Sequence, residues 1–227
     1  MNYFVPTLQQ VSNFSLQTTF QEKLGGLPFG LPIEMYPICK ECSNPMSFVA
    51  QFAHNKERLD LGKEKRILYI FVCNYEDVDY SVCQSWDAGL GANACIIIEP
   101  ETFTNKEIKI NVNVQLINEF IVTDWQEFDD EISEKENHYF LDTQKHNEIE
   151  FTQFVKLLDK TVDNTRLGSV PYWIQYPEIP DGNYKFIGQL DSKNGFEFGD
   201  IGIGYIFVEN VKSNEELPKA KFLWQCS

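Results

Sequence analysis

A chain of 227 residues, 43% apolar and 23% charged, is long enough to bury one continuous core and too apolar to stay disordered. Its 34 acidic residues outweigh 19 basic ones, for a net charge of −15, and the densest basic stretch, Lys63-Glu64-Lys65-Arg66, is broken by a glutamate. This excludes the clustered Lys/Arg surface that neutralises nucleic-acid phosphates, and the lack of a long unbroken apolar run excludes a helical membrane span.

The chain opens Met-Asn-Tyr-Phe-Val-Pro, with no basic start and no apolar run. No signal peptide is expected, and the expected location is the cytoplasm. A short helix is expected near Thr7–Phe20. Lys23–Pro32 then gathers three glycines and two prolines in ten residues, a backbone-dictated turn. Phe48–Phe52, Ile67–Val72 and Ala94–Ile98 are short, aromatic or β-branched, and bounded by turn residues, which predicts strands. Ile108–Leu116 alternates apolar and polar residues and predicts a half-buried strand, with Phe120–Thr123 following across Asn118-Glu119. Asp124–Lys135 is strongly acidic and predicts a short helix capped by Asp124. Across Glu148–Asp163 the residues Phe151, Phe154, Val155, Leu158 and Val162 form one helical stripe. Strands return at Tyr184–Leu190, Gly204–Val208 and Lys221–Gln225.

Two parts of the chain echo one another. Leu24-Gly25-Gly26-Leu27-Pro28-Phe29 is matched by Leu167-Gly168-Ser169-Val170-Pro171-Tyr172. Phe48–Phe52 is matched by Phe186–Leu190, with Gln51 against Gln189, and Leu68–Val72 by Gly204–Val208. Three matches in one order predict an internal duplication. The single domain, residues 1–227, then consists of two pseudo-repeats, about 20–120 and 165–227, joined by a helical acidic segment at about 124–163. Gly25, Gly26, Pro28 and Gln51 form the structural motif of the first copy, and Gly168, Pro171 and Gln189 that of the second. Gly199 and Gly202 mark a turn that feeds a strand, not a phosphate loop, which would need a helix after its glycines. A buried glutamine must find backbone partners, so Gln51 and Gln189 are expected to tie a neighbouring loop to the sheet.

Lys23–Pro28, Cys39–Gln51, Pro171–Gln175, Phe198–Phe207 and Lys221–Cys226, in this order, resemble the YwqG-like family, a domain of unknown function. The resemblance covers most of residues 20–226. It implies a duplicated α+β fold: antiparallel β-sheets with a few flanking helices. It also implies distant similarity to the programmed cell death protein 2 type of ribosome-assembly proteins, which chaperone a basic ribosomal protein. No catalytic residues come with it. Ser169 departs from the pattern by standing where the first copy has Gly26.

Cys39-x-x-Cys42 is followed by Cys73 and Cys83, and four thiolates are a donor set for tetrahedral zinc. One Cys-x-x-Cys is half of a zinc signature, so ordinary reduced thiols remain the alternative. Four thiolates would close the coordination sphere, making any zinc structural. The similar eukaryotic proteins also place paired cysteines here. Cys95 and Cys226 lie in apolar strands as core thiols. His54, His138 and His146 belong to no recognisable catalytic or metal motif. Trp173, Gln175 and Asp200 are the candidate binding residues. Exposure of Trp173 beside the Pro171 turn would mark a docking surface.

The leading functional expectation is a non-enzymatic protein-binding or chaperone-like module for a basic partner. The alternative is an enzyme or small-molecule binder with a site between the repeats. A structural module in a larger assembly is a third. Oligomeric state is not legible in the sequence.

Overall fold

The computed structural model of the protein describes residues 1–12, 17–74, 83–106, 114–213 and 215–227. Its strands are β1 (Asn2–Gln10), β2 (Lys23–Leu24), β3 (Ser47–Ala53), β4 (Ile67–Val72) and β5 (Asn93–Ile98), then β6 (Phe120–Asp129), β7 (Arg166–Gly168), β8 (Tyr184–Asp191), β9 (Ile203–Glu209) and β10 (Ala220–Gln225). All belong to one antiparallel sheet in the order β10-β9-β8-β7-β1-β6-β2-β3-β4-β5. The order is a palindrome about the β1–β6 pair. On one side lie β7 to β10, on the other β2 to β5.

This overturns the expectation of an α+β fold with several antiparallel sheets. There is one large sheet, curled until it is nearly closed, and among the described residues α-helix is confined to α1 (His138–Leu141), α2 (Thr143–Glu148) and α3 (Phe151–Leu158). The physical reason lies in β1 and β6, which are the longest strands and sit at the centre. They fuse two four-stranded units that would otherwise be separate sheets. β1 carries Pro6 and lacks clean alternation, and β6, expected only over Phe120–Thr123, continues through a stretch that exposes Asp124, Glu127 and Asp129. Pairing with each other and with β7 and β2 decides their conformation, as cross-strand packing commonly overrides local composition. Of the helix expected at Thr7–Phe20, Thr7–Gln10 continue β1, and residues 13–16 lie outside the described set. The helix expected within Asp124–Lys135 gives way to β6 as far as Asp129. Most of the strand expected at Ile108–Leu116 lies outside the described residues, and Val114–Leu116 form none. The long helix expected at Glu148–Asp163 is reduced to α3, which buries Phe154 and Leu157 and leaves Phe151 79% exposed.

Alternation along the strands separates three packed clusters. Leu68, Ile70 and Val72 of β4 point inward with Ile187, Leu190, Ile206 and Phe222 from the other side of the palindrome. This shared interior removes apolar surface of both halves from water at once, about 1.5–3 kcal/mol for each large side chain. The intervening Tyr69 and Phe71 face outward and are covered by Leu31, Cys39 and Met46 from the β2–β3 connection. On the opposite side Phe186, Tyr205 and Phe207 are covered by Phe140, Phe154, Leu157 and Trp173. The free edges β5 and β10 approach each other, and the Trp224 N–H donates to the Trp86 carbonyl at 3.2 Å across the seam.

The same polar fastening occurs on both sides. Gln51 lies opposite Tyr69, and Gln189 opposite Tyr205. Gln51 Oε1 accepts from the Phe29 N–H, and Gln189 Oε1 from the Tyr172 N–H, both at 2.9 Å. The Tyr69 hydroxyl donates to the Phe29 carbonyl and the Tyr205 hydroxyl to the Tyr172 carbonyl, both at 2.8 Å. Gln51 Nε2 then donates to the Gln21 carbonyl, and Gln189 Nε2 to those of Val162 and Asn164. β-bulges interrupt β3 between Phe48 and Ala50 and β8 between Phe186 and Gly188. Beside each glutamine stands a buried cation, Lys23 or Arg166. Lys23 pairs with Glu119 at 2.6 Å. Gly25 has φ +66°, and a Cβ there would fall 2.0 Å from the Asn118 carbonyl oxygen, so this close pass requires glycine. Ser169 holds the same left-handed backbone as Gly26, at φ +57°, and its hydroxyl bonds to Asp130.

Candidate metal centre

Cys39 and Cys42 lie on a tight hairpin closed by the Ile38–Pro45 bridge. Within it the Cys39 N–H donates to the Asn44 carbonyl and the Ser43 N–H to the Cys39 carbonyl, each at 2.9 Å, with Ser43 at φ +60°. The hairpin is pinned from outside by the Lys40 N–H, which donates to the Gly91 carbonyl at 3.0 Å. Cys73 directly follows β4, and its N–H donates to the Ala92 carbonyl at 2.8 Å. Cys83 returns beside it. Its neighbour Gln84 donates its N–H to the Glu41 carboxylate at 3.0 and 3.2 Å, which ties the second cysteine pair to the first.

All four sulfurs lie within 4.8 Å of one another, with Cys42 and Cys73 at 3.5 Å. A tetrahedron with zinc–sulfur bonds of about 2.3 Å has edges of about 3.8 Å, so the spacing fits such an ion. A disulfide would require about 2.05 Å, and all four cysteines are free thiols. Cys39 and Cys73 are buried, and Cys42 and Cys83 are partly so.

The electrostatics match the geometry. Burial on its own would raise the Cys42 thiol, but the Asn44 N–H, the Asn44 side chain and the neighbouring thiols lower it to about 7. Cys83 is pushed up to about 12, first by burial and then by its bond with Cys42. Thiolates this close repel one another when no cation lies between them. A divalent ion would remove that conflict.

Residues 22–226 match the family described as Domain of unknown function (DUF1963). The chain belongs to that family. No curated protein matches it. The part of this DUF1963 chain that matches includes all four cysteines and both glutamine–tyrosine fastenings, and it begins after β1. Among the described residues no helix is long and apolar enough to cross a membrane.

None of the three candidate binding residues belongs to the cluster of four cysteines. Trp173 is 2% exposed, and its Nε1–H donates to the Phe140 carbonyl at 2.9 Å. The exposure that would make it a docking aromatic is therefore absent. Gln175 donates through Nε2 to the Cys226 carbonyl at 2.7 Å, and the Asp200 carbonyl accepts from the Ser227 hydroxyl at 3.3 Å. Both thus hold the C-terminal residues. Cys95 stands apart on β5, its thiol raised by burial.

Sequence reasoning raised a site between the repeats only as an alternative and named no residues for it; the structure has a cleft of about 1060 Å³ between the halves, beside the metal centre. Cys73, Cys83 and Trp86 line it from one half, Phe196, Glu197 and Trp224 from the other. These residues are scattered along the chain, and the sequence assigns its tryptophans to the core by default. No signal short of the fold would have grouped them.

Proposed function

We propose that this is a cytoplasmic, non-catalytic binding protein in which Cys39, Cys42, Cys73 and Cys83 hold one structural zinc ion and the acidic surface engages a basic segment of a partner polypeptide. The convergence of the four sulfurs within 4.8 Å carries the reading. When bound, zinc would supply a rigid tetrahedral crosslink and no open coordination position. The crosslink would fasten the Cys39–Cys42 hairpin to the end of β4. That is the task performed in the other half by the helices packed over Phe186 and Phe207. The partner reading is supported by the net charge of −15. The resemblance to YwqG-like proteins, and through them to the chaperones of a basic ribosomal protein, favours the same reading. The six free thiols suit a reducing compartment. The twin glutamine–tyrosine fastenings support descent of the two halves from one duplicated unit.

The cleft between the halves favours a second reading, a small-molecule binder or enzyme with its site there. Two experiments separate the readings. Chelation of purified protein should lower its melting temperature, and added zinc should restore it. Affinity capture from the native host should recover a basic protein that moderate salt releases. Recovery of a bound metabolite with no salt-sensitive protein would favour the second reading.

A further inference from the structure

Resting on the basic-partner reading, we propose that the cleft beside the metal centre is where the partner docks, and that it takes an arginine side chain against Trp86 with Glu197 as counter-charge. The cleft, of about 1060 Å³, has room for several side chains of an extended segment. No Lys, Arg or His is among the described residues that line it, and Glu197, which is exposed, is their charged side chain. Trp86 is 40% exposed although its ring packs edge-on against Trp224, with centroids 6.1 Å apart. Trp224 is itself oriented by its Nε1–H, which donates to the Ser85 hydroxyl at 3.3 Å. The indole of Trp86 is thus held in place while 40% of the residue stays exposed, leaving aromatic surface on which a guanidinium can stack. Cys73 and Cys83 belong both to the cleft wall and to the metal centre. A zinc ion with four thiolates is formally dianionic, so a loaded centre would add negative potential to a wall with no cation among its described residues. A phosphate or carboxylate ligand would find no cation among the described lining residues to balance its charge. An arginine of a basic segment meets an exposed aromatic ring and, among the described lining residues, a carboxylate without a cation beside it in the wall.

The test is calorimetric titration of full-length, zinc-supplemented protein with an Arg/Gly repeat peptide and with its Gln/Gly counterpart at one ionic strength. Trp86→Ala, Glu197→Gln and the distant surface variant Glu134→Gln are compared after circular dichroism shows each folded. Trp86→Ala should weaken the arginine peptide about tenfold. Glu197→Gln should weaken it several-fold, Glu134→Gln should leave it unchanged, and the glutamine peptide should bind far less. If the wild type binds but the two cleft variants bind equally well, the cleft assignment falls and the basic-partner reading stands. Equal binding of the two peptides overturns the choice of arginine. If neither peptide binds the wild type, the basic-partner reading fails and takes the cleft assignment with it.

Discussion

The polar groups inside this protein fasten loops to strands. Gln51 and Gln189 do equivalent work: each accepts one backbone N–H and donates to carbonyls of the segment preceding its turn. Leucine at either position would leave these groups without partners, at roughly 1–3 kcal/mol for each orphaned group. Gln51→Leu and Gln189→Leu should therefore each lower the unfolding free energy by about 2–4 kcal/mol in urea titrations. A neutral result at one of them would show that the two fastenings are not equivalent. Glu99 gives a pH-dependent term. Its carboxyl is held below the ordinary value of 4.5, chiefly by hydrogen bonds from Arg66, which outweigh its burial. A carboxylate whose folded value is depressed contributes stability that is complete above the ordinary value and is lost as pH falls through the folded one. Melting temperature should thus decline on acidification below about 4.5, and Glu99→Gln should flatten that decline while lowering stability at neutral pH. An unchanged acid profile in the variant would remove Glu99 from this role.

At the scale of elements, β3, β4, β5, β8, β9 and β10 were legible, of the central pair only the Phe120–Thr123 start of β6 was, and β1 was not. β4 announces itself because Leu68, Ile70 and Val72 alternate with Tyr69 and Phe71, and both sets are buried, on opposite faces. β1 and β6 have solvent on much of one side, so composition there records the surface and not the sheet. The start of the acidic run that reads as a helix is the exposed second half of β6. The Cys-x-x-Cys hairpin was legible as half a metal site, and Cys73 and Cys83 were legible as the candidates to complete the donor set. Their approach was not, because nothing in the loose spacing of Cys73 and Cys83 tells that the end of β4 lies against the hairpin. β1 makes a strong prediction. It pairs with β6 along nine residues and with β7 at Tyr3 and Phe4. Removing residues 1–11 should leave two unpaired edges in the middle of the sheet and give an aggregated or unfolded chain by circular dichroism and gel filtration. A folded, monomeric truncation would contradict the central place given to this strand.

Across the whole molecule, the two halves share one interior but are finished differently outside. One outer face is closed by helices and by Trp173. The other is closed by a hairpin with little apolar surface of its own, held against β4 where four sulfurs meet. A crosslink at that point would do what packing does on the opposite side, and it would fix the wall of the cleft that spans both halves. The most direct measurement is elemental analysis by mass spectrometry of protein purified without chelator, alongside the Cys39→Ser/Cys42→Ser double variant. We expect about one zinc per wild-type chain and close to none in the variant, with a lower melting temperature for the variant. Wild-type protein that carries negligible metal, takes up none when zinc is supplied, and melts at the same temperature as the variant would contradict the account.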